Sequence, residues 1–170
     1  MDRWNGGDET ALKSLIERYQ KPIFSLILYL AGCDREKTFA IAVSLFAKAI
    51  RLQSSNQKDC AFLQTLIRFV IEQCRNTPPA PSFDLSDFSA LPAPKRESLR
   101  IVKEALFALS FENKSLLLLR DQLQLPYVDI SAVSGIPMKD VRSKTAQARS
   151  HLMDKVREIL ERARGNDGLR

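Results

Sequence analysis

Residues 126–152 read PYVDISAVSGIPMKDVRSKTAQARSHL. Pro126 suits the first turn of a short helix carrying Tyr127, Ile130 and Val133, and Gly135-Ile136-Pro137 stops it. A long helix follows, with Val141, Thr145, Ala148, Leu152, Val156, Ile159 and Ala163 recurring at three- and four-residue steps. Short helix, glycine turn and long helix make the helix-turn-helix pattern. Two helices crossing tightly need a small residue at the contact, a turn residue tolerant of positive φ, and an apolar anchor early in the second helix. Ser131, Gly135 and Val141 meet these demands, and Ile130, Val133 and Ile136 supply a shared core.

At 3.6 residues per turn, Val141, Thr145, Ala148 and Leu152 fall on one inner face of the last helix. Lys139, Ser143, Ala146, Gln147 and Ser150 then point outward, with Arg142 and Arg149 on one shoulder and Lys144 and Asp140 on the other. Small hydrogen-bonding groups flanked by cations suit the DNA major groove, where Ser and Gln reach base edges and Arg and Lys neutralise phosphates. The charge distribution agrees. The whole chain of 170 residues carries a net charge of +6. Residues 139–170 hold nine basic and five acidic groups, whereas residues 99–138 hold four of each.

Upstream, residues 77–94 lose all periodicity and contain five of the eight prolines, which marks a linker. Its apolar pairs Phe83/Leu85 and Phe88/Leu91 suggest that it lies against something. Before it, Asp8 precedes a helix with Leu12, Leu15, Ile16 and Tyr19 at helical spacing. Pro22 is expected to start a second helix, Ile23 to Leu30, too crowded with apolar residues for a one-sided stripe and ended by Gly32. Asp34 opens a third helix to about Leu52, and a fourth carries Phe62, Leu66, Ile67, Phe69, Val70 and Cys74. After the linker come an amphipathic helix with Leu99, Val102, Leu106 and Leu109, and another starting near Glu112 that contains Leu116 to Leu119. No alternation of period two occurs, so the fold class is all-α: two small helical modules, residues 1–76 and 95–164, joined by the linker 77–94 and followed by a frayed tail 165–170.

A chain of 45% hydrophobic and 27% charged residues has globular composition and enough length for a core. The longest apolar stretch, Pro22 to Ala31, is half of the roughly 20 residues that span a bilayer, and the N-terminus lacks signal-peptide character. A soluble, cytoplasmic protein without membrane insertion is expected. Cys33, Cys60 and Cys74 form no CxxC pair and fit reduced packing residues. His151 is the single histidine, and it is expected to be solvated. No phosphate loop, HExxH or nucleophile elbow occurs, so neither an enzyme nor a metal or cofactor site is expected.

The stretch LSFENKSLLLLRDQLQLPYVDISAVSGIPMKDVRSKTAQARSHL, residues 109–152, resembles the fourth conserved region of bacterial extracytoplasmic-function (ECF) sigma factors, which reads approximately LP…REVLLLR…GLSYEEIAEILGISVGTVKSRLHRARERL. Leu116 to Arg120, Tyr127, Asp129-Ile130, Gly135-Ile136, Val141 to Lys144, Ala148-Arg149 and Leu152 fall on the motif or on close substitutes. GDETALKSLIERYQKPIFSLILYLAG, DREKTFAIAVSLFAKAI and FLQTLIRFVIEQCRN resemble the second conserved region. The resemblance therefore covers nearly the whole chain.

It implies a sigma region 2-like bundle that binds core RNA polymerase and opens the minus-ten element, and a region 4-like helix-turn-helix that reads the minus-thirty-five element of double-stranded promoter DNA. Lys139, Arg142, Ser143, Lys144, Gln147 and Arg149 then occupy the promoter-reading surface. The first module departs from the pattern. Where the family has AEDLVQEVF, used to grip the polymerase clamp, this chain has Phe39 to Phe46 without those charges. The usual tryptophan is Thr65, the late asparagine is Glu72, and the arginine cluster is reduced to Arg75. Ala40, Val43, Ser44 and Ala47 on this helix are therefore either covered by another element, the reading favoured here, or a protein-binding patch. Two alternatives accompany promoter recognition. One is a sigma-like mimic that acts by binding an anti-sigma factor or other regulator, and the other is a plain helix-turn-helix regulator with an unrelated helical half.

Overall fold

A computed structural model describes residues 9–54, 62–77 and 92–167, and every regular element among them is helical. The elements are α1 (Glu9–Ala31), α2 (Arg35–Ser54), α3 (Phe62–Arg75), α4 (Ala93–Phe107), α5 (Phe111–Leu117), a π turn (Leu118–Gln122), α6 (Tyr127–Ser134) and α7 (Met138–Asp167). The chain divides into two compact units, Met1–Ser82 with Ser131–Gly135, and Phe83–Ile130 with Ile136–Arg170.

In the first unit α1, α2 and α3 pack on one another. Pro22 does not begin a helix; it lies inside α1, which runs unbroken from Glu9 to Ala31. A proline inside a helix costs about 3 kcal/mol. Ile23, Leu26, Ile27 and Leu30 just beyond it are all at most 3% exposed. Burying each such side chain contributes about 1.5–3 kcal/mol, so a continuous helix wins. No residue between Pro22 and Ala31 is exposed, in keeping with the crowded apolar spacing of this segment. Gly32, at φ 62°, ends α1 with its N–H on the Leu28 carbonyl at 3.0 Å. Asp34 then caps α2, accepting from the Lys37 N–H at 2.7 Å.

The core of this unit is Ile23, Leu26 and Ile27 from α1, Leu45 and Phe46 from α2, and Phe62, Leu66, Ile67 and Val70 from α3. The Phe62 ring lies 6.3 Å from Phe46 and 6.4 Å from Tyr19. Cys33 and Cys74 are buried, and the Cys33 thiol lies 3.2 Å from the Thr38 hydroxyl. Trp4, Cys60 and the linker pairs Phe83/Leu85 and Phe88/Leu91 lie outside the described residues.

In the second unit α4 packs on α7 through Ile101, Ala105 and Ile159, with Leu152 and Val156 against them. Of the expected stripe, Leu109 is buried and Leu99 and Leu106 are half-buried, whereas Val102 is 46% exposed and Ile101 and Ala105 take the inner positions. Ala105 is small enough to let the two helices approach, which selects the Ile101/Ala105 face. Ser110 caps α5, accepting from the Asn113 N–H at 3.3 Å. Leu116, Leu117, Leu118 and Leu119 are all buried. The helix then widens into the π turn, where the Leu123 N–H reaches the Leu118 carbonyl at 3.0 Å. Gln124, at φ 55°, reverses the chain. Arg120 fastens this corner by donating to the Leu125 carbonyl at 2.8 Å and lying 4.7 Å from the Tyr127 ring centre.

α7 runs to Asp167, past Arg164, where the sequence suggests fraying. One glycine, Gly165, costs about 1 kcal/mol at most and does not break a helix that is already formed.

Gly135 holds φ +75°, and a Cβ placed there would meet nothing within 4 Å. Gly135→Ala is therefore expected to cost only the left-handed backbone penalty, about 1–2 kcal/mol, measured by urea unfolding. A loss above about 3 kcal/mol would show a steric role at this turn.

Candidate nucleic-acid interface

The rotation of α7 about its axis is fixed by what it buries. Val141, Thr145 and Ala148 are all 0% exposed. The Thr145 hydroxyl, which would be costly to bury unpaired, donates to the Val141 carbonyl one turn back at 2.7 Å. Leu152 is half-buried on the same stripe. The start of the helix follows from its approach: Gly135 N–H donates to the Ser131 carbonyl at 3.0 Å, and Asp140 N–H to the Pro137 carbonyl at 2.8 Å. Ile130, Val133 and Ile136 are buried.

The opposite side carries the candidate residues. Lys139, Arg142, Ser143, Ala146, Gln147, Arg149 and Ser150 are exposed, and Lys144 is half-buried. Lys139, Arg142, Ser143 and Gln147 thus share one solvent-facing strip along the first turns of α7. No ion pair engages Lys139 or Arg142 among the described residues. Ser143 donates its hydroxyl to the Asp140 carbonyl at 2.9 Å, which leaves its oxygen as an acceptor.

The other two candidate cations are engaged. Lys144 Nζ lies 2.6 Å from Glu112 Oε1 of α5. Arg149 grips Asp121 of the π turn with two nitrogens, Nε at 3.1 Å and Nη2 closer. That carboxylate holds the Arg149 guanidinium above its already high ordinary pKa, chiefly by the hydrogen bond. Next to them the Asn113 amide donates to His151 Nδ1 at 2.8 Å, which makes the exposed His151 a bonded group rather than a merely solvated one. These three contacts form a polar seam between α7 and the α5–π turn segment. Glu112, Asn113 and Asp121 lie 28 to 38 residues from their partners, and no local pattern signals such pairs.

The second candidate surface belongs to the first unit and is treated separately. Ala40, Val43, Ser44 and Ala47 are exposed on α2, with Phe39 at 63% and Val43 at 53%. Among the described residues no element covers this face, and the linker pairs Phe83/Leu85 and Phe88/Leu91 lie outside them. α2 uses Thr38, Ala42, Leu45, Phe46 and Ala49 for its inward stripe, which turns Ala40, Val43 and Ala47 to solvent. No described helix is long and apolar enough to cross a membrane. Among the described residues no three His, Cys, Asp or Glu side chains come together to hold a metal.

Among the described residues the chain is all-helical, with the helix-turn-helix of α6 and α7 preceded by the three-helix unit of α1, α2 and α3. Comparison with known proteins finds similar chains. The RNA polymerase sigma-H factor of Pseudomonas aeruginosa is 26% identical, the match covering 96% of this chain and 95% of that one. The ECF RNA polymerase sigma-E factor of Escherichia coli is 27% identical, with 95% of each chain covered, and that of Haemophilus influenzae is 25% identical. The solved structure of CnrH in complex with the cytosolic domain of CnrY superposes with a TM-score of 0.68 over 87% of this chain and 88% of that one, at 18% identity. No family model matches. The chain resembles the ECF sigma factors over nearly its whole length, as its motifs indicate.

The Lys144–Glu112 and Arg149–Asp121 ion pairs are exposed, and such pairs contribute at most about 1 kcal/mol. Glu112→Gln and Asp121→Asn should each leave the urea midpoint within that margin. A drop of several kcal/mol would show that the seam holds α7 in place.

Proposed function

We propose that this chain is a transcription initiation subunit that recruits core RNA polymerase to promoters and reads the upstream promoter element with α7. Residues 1–76 form the polymerase-binding module and residues 95–164 the promoter-reading module, acting in the cytoplasm and without enzymatic chemistry. The observation that carries this reading is the strip Lys139, Arg142, Ser143 and Gln147. It is exposed on a helix whose back is buried at Val141, Thr145 and Ala148, in a chain similar end to end to RNA polymerase sigma factors.

In the major groove Gln147 and Ser143 offer hydrogen bonds to base edges, while Lys139 and Arg142 meet phosphates. Lys144 and Arg149 arrive already paired with Glu112 and Asp121. Each therefore adds less to DNA affinity than Arg142, because a phosphate must replace a carboxylate. The neighbouring acids also repel the backbone.

A second reading has its own support in α2. An exposed apolar face stands where ECF sigma factors have acidic residues, and it favours a sigma-like protein that works by binding an anti-sigma factor or other regulator, without opening DNA.

Purified full-length protein is expected to retain core RNA polymerase in a pull-down. A folded, monodisperse sample that retains none would leave the α2 reading. In duplex binding measured against salt, Arg142→Ala should weaken affinity and flatten the logarithmic slope by about 1. Lys144→Ala should do less, unless Glu112→Gln is present as well, and Glu112→Gln alone should tighten binding.

A further inference from the structure

The exposed face of α2 has a pattern beyond its apolarity. Glu36, Ala40, Val43, Ala47 and Arg51 follow one another at steps of four, three, four and four, so they lie in one stripe along the helix, and all five are exposed. Small or apolar groups occupy the middle, with an acid at one end and a base at the other. Glu36 and Arg51 make no ion pair among the described residues. They stand about 22 Å apart along the helix axis.

Such a stripe matches itself when reversed. Laid antiparallel on a second copy about a twofold axis at Val43-Ser44, Glu36 meets the partner's Arg51 and Arg51 meets the partner's Glu36. Ala40 then faces the partner's Ala47. Two alanine contacts flanking the centre let the helices approach closely, and Phe39, 63% exposed at the edge, adds apolar area. A twofold interface requires this kind of self-complementarity, in which each residue pair occurs twice. A parallel pairing of the same helices would set Glu36 against Glu36 and Arg51 against Arg51.

From this pattern we infer that the α2 face is a self-association surface, which pairs two copies of the chain antiparallel through Ala40, Val43 and Ala47 with reciprocal Glu36–Arg51 ion pairs. The inference goes beyond the proposed function, shares only the exposed α2 face with the second reading above, and is independent of α7. One helix pair buries less than the about 1,600 Å² of a standard interface, so association at about 10–100 µM is expected, not a permanent dimer.

Sedimentation velocity of the full chain across concentration tests it. The wild type should shift from monomer to dimer. Glu36→Arg and Arg51→Glu should each move that transition at least tenfold upward in concentration, since each places like charges at both ends. An equimolar mixture of the two variants should dimerise again, because both arginines of the first variant then meet both glutamates of the second. Val43→Asp, at an exposed position, should abolish the dimer with helical circular dichroism unchanged. A wild type that stays monomeric throughout overturns the inference. So does a dimer that Val43→Asp and both charge reversals leave intact, or a pair of weakened variants that do not recover on mixing. Retention of core polymerase, measured separately on the same samples, reports on the proposed function and not on self-association.

Discussion

The burial of one side of α7 is the constraint on which the candidate DNA surface depends. Val141, Thr145 and Ala148 are wholly removed from solvent, so a rotation of the helix by even one residue would expose apolar atoms and bury Arg142 or Lys144. Burying an unpaired cation costs several kcal/mol, whereas the small inner residues have little tolerance for a bulky substitute. The same interaction that stabilises the second unit therefore determines which side chains can meet a ligand. Thr145 shows how tightly this is drawn: its hydroxyl is tolerated at the centre because it is bonded to the Val141 carbonyl.

The polar seam adds a second level. Glu112, Asn113 and Asp121 all come from the segment that ends in the π turn, and they engage Lys144, His151 and Arg149. Each exposed pair is weak as a source of stability. Its larger consequence is electrostatic, because two carboxylates stand beside the basic strip and reduce its attraction for phosphate. A helix that looks uniformly basic along its sequence is thus graded, with Lys139 and Arg142 in no ion pair among the described residues and Lys144 and Arg149 neutralised. The α2 face follows the converse logic. There the inward stripe consumes Thr38, Ala42, Leu45, Phe46 and Ala49, and leaves apolar groups in water where charges would be the ordinary choice.

Much of this was legible in the residues. The all-α class followed from the absence of any two-residue alternation. The inner face of α7 followed from its three- and four-residue steps, and the Asp34 and Gly32 boundaries from capping chemistry. What escaped the sequence depends on contacts distant along the chain. Pro22 reads locally as a helix start, yet the burial of Ile23, Leu26, Ile27 and Leu30 against α2 and α3 carries α1 through it. Val102 reads as an inward residue until the Ile101/Ala105 face is seen to fit α7 better. The ion pairs of Lys144 and Arg149 join residues about 30 apart in sequence, and helical periodicity carries no information on such pairs.

We propose that the outward strip of α7 reads DNA. Backbone amide shifts of the full chain, followed by NMR on titration with promoter duplex, test it residue by residue. The account predicts perturbations at Lys139, Arg142, Ser143, Ala146, Gln147 and Ser150, smaller ones at Lys144 and Arg149, and loss of the response in Arg142→Ala. Shifts absent from α7, or confined to α2, would contradict it.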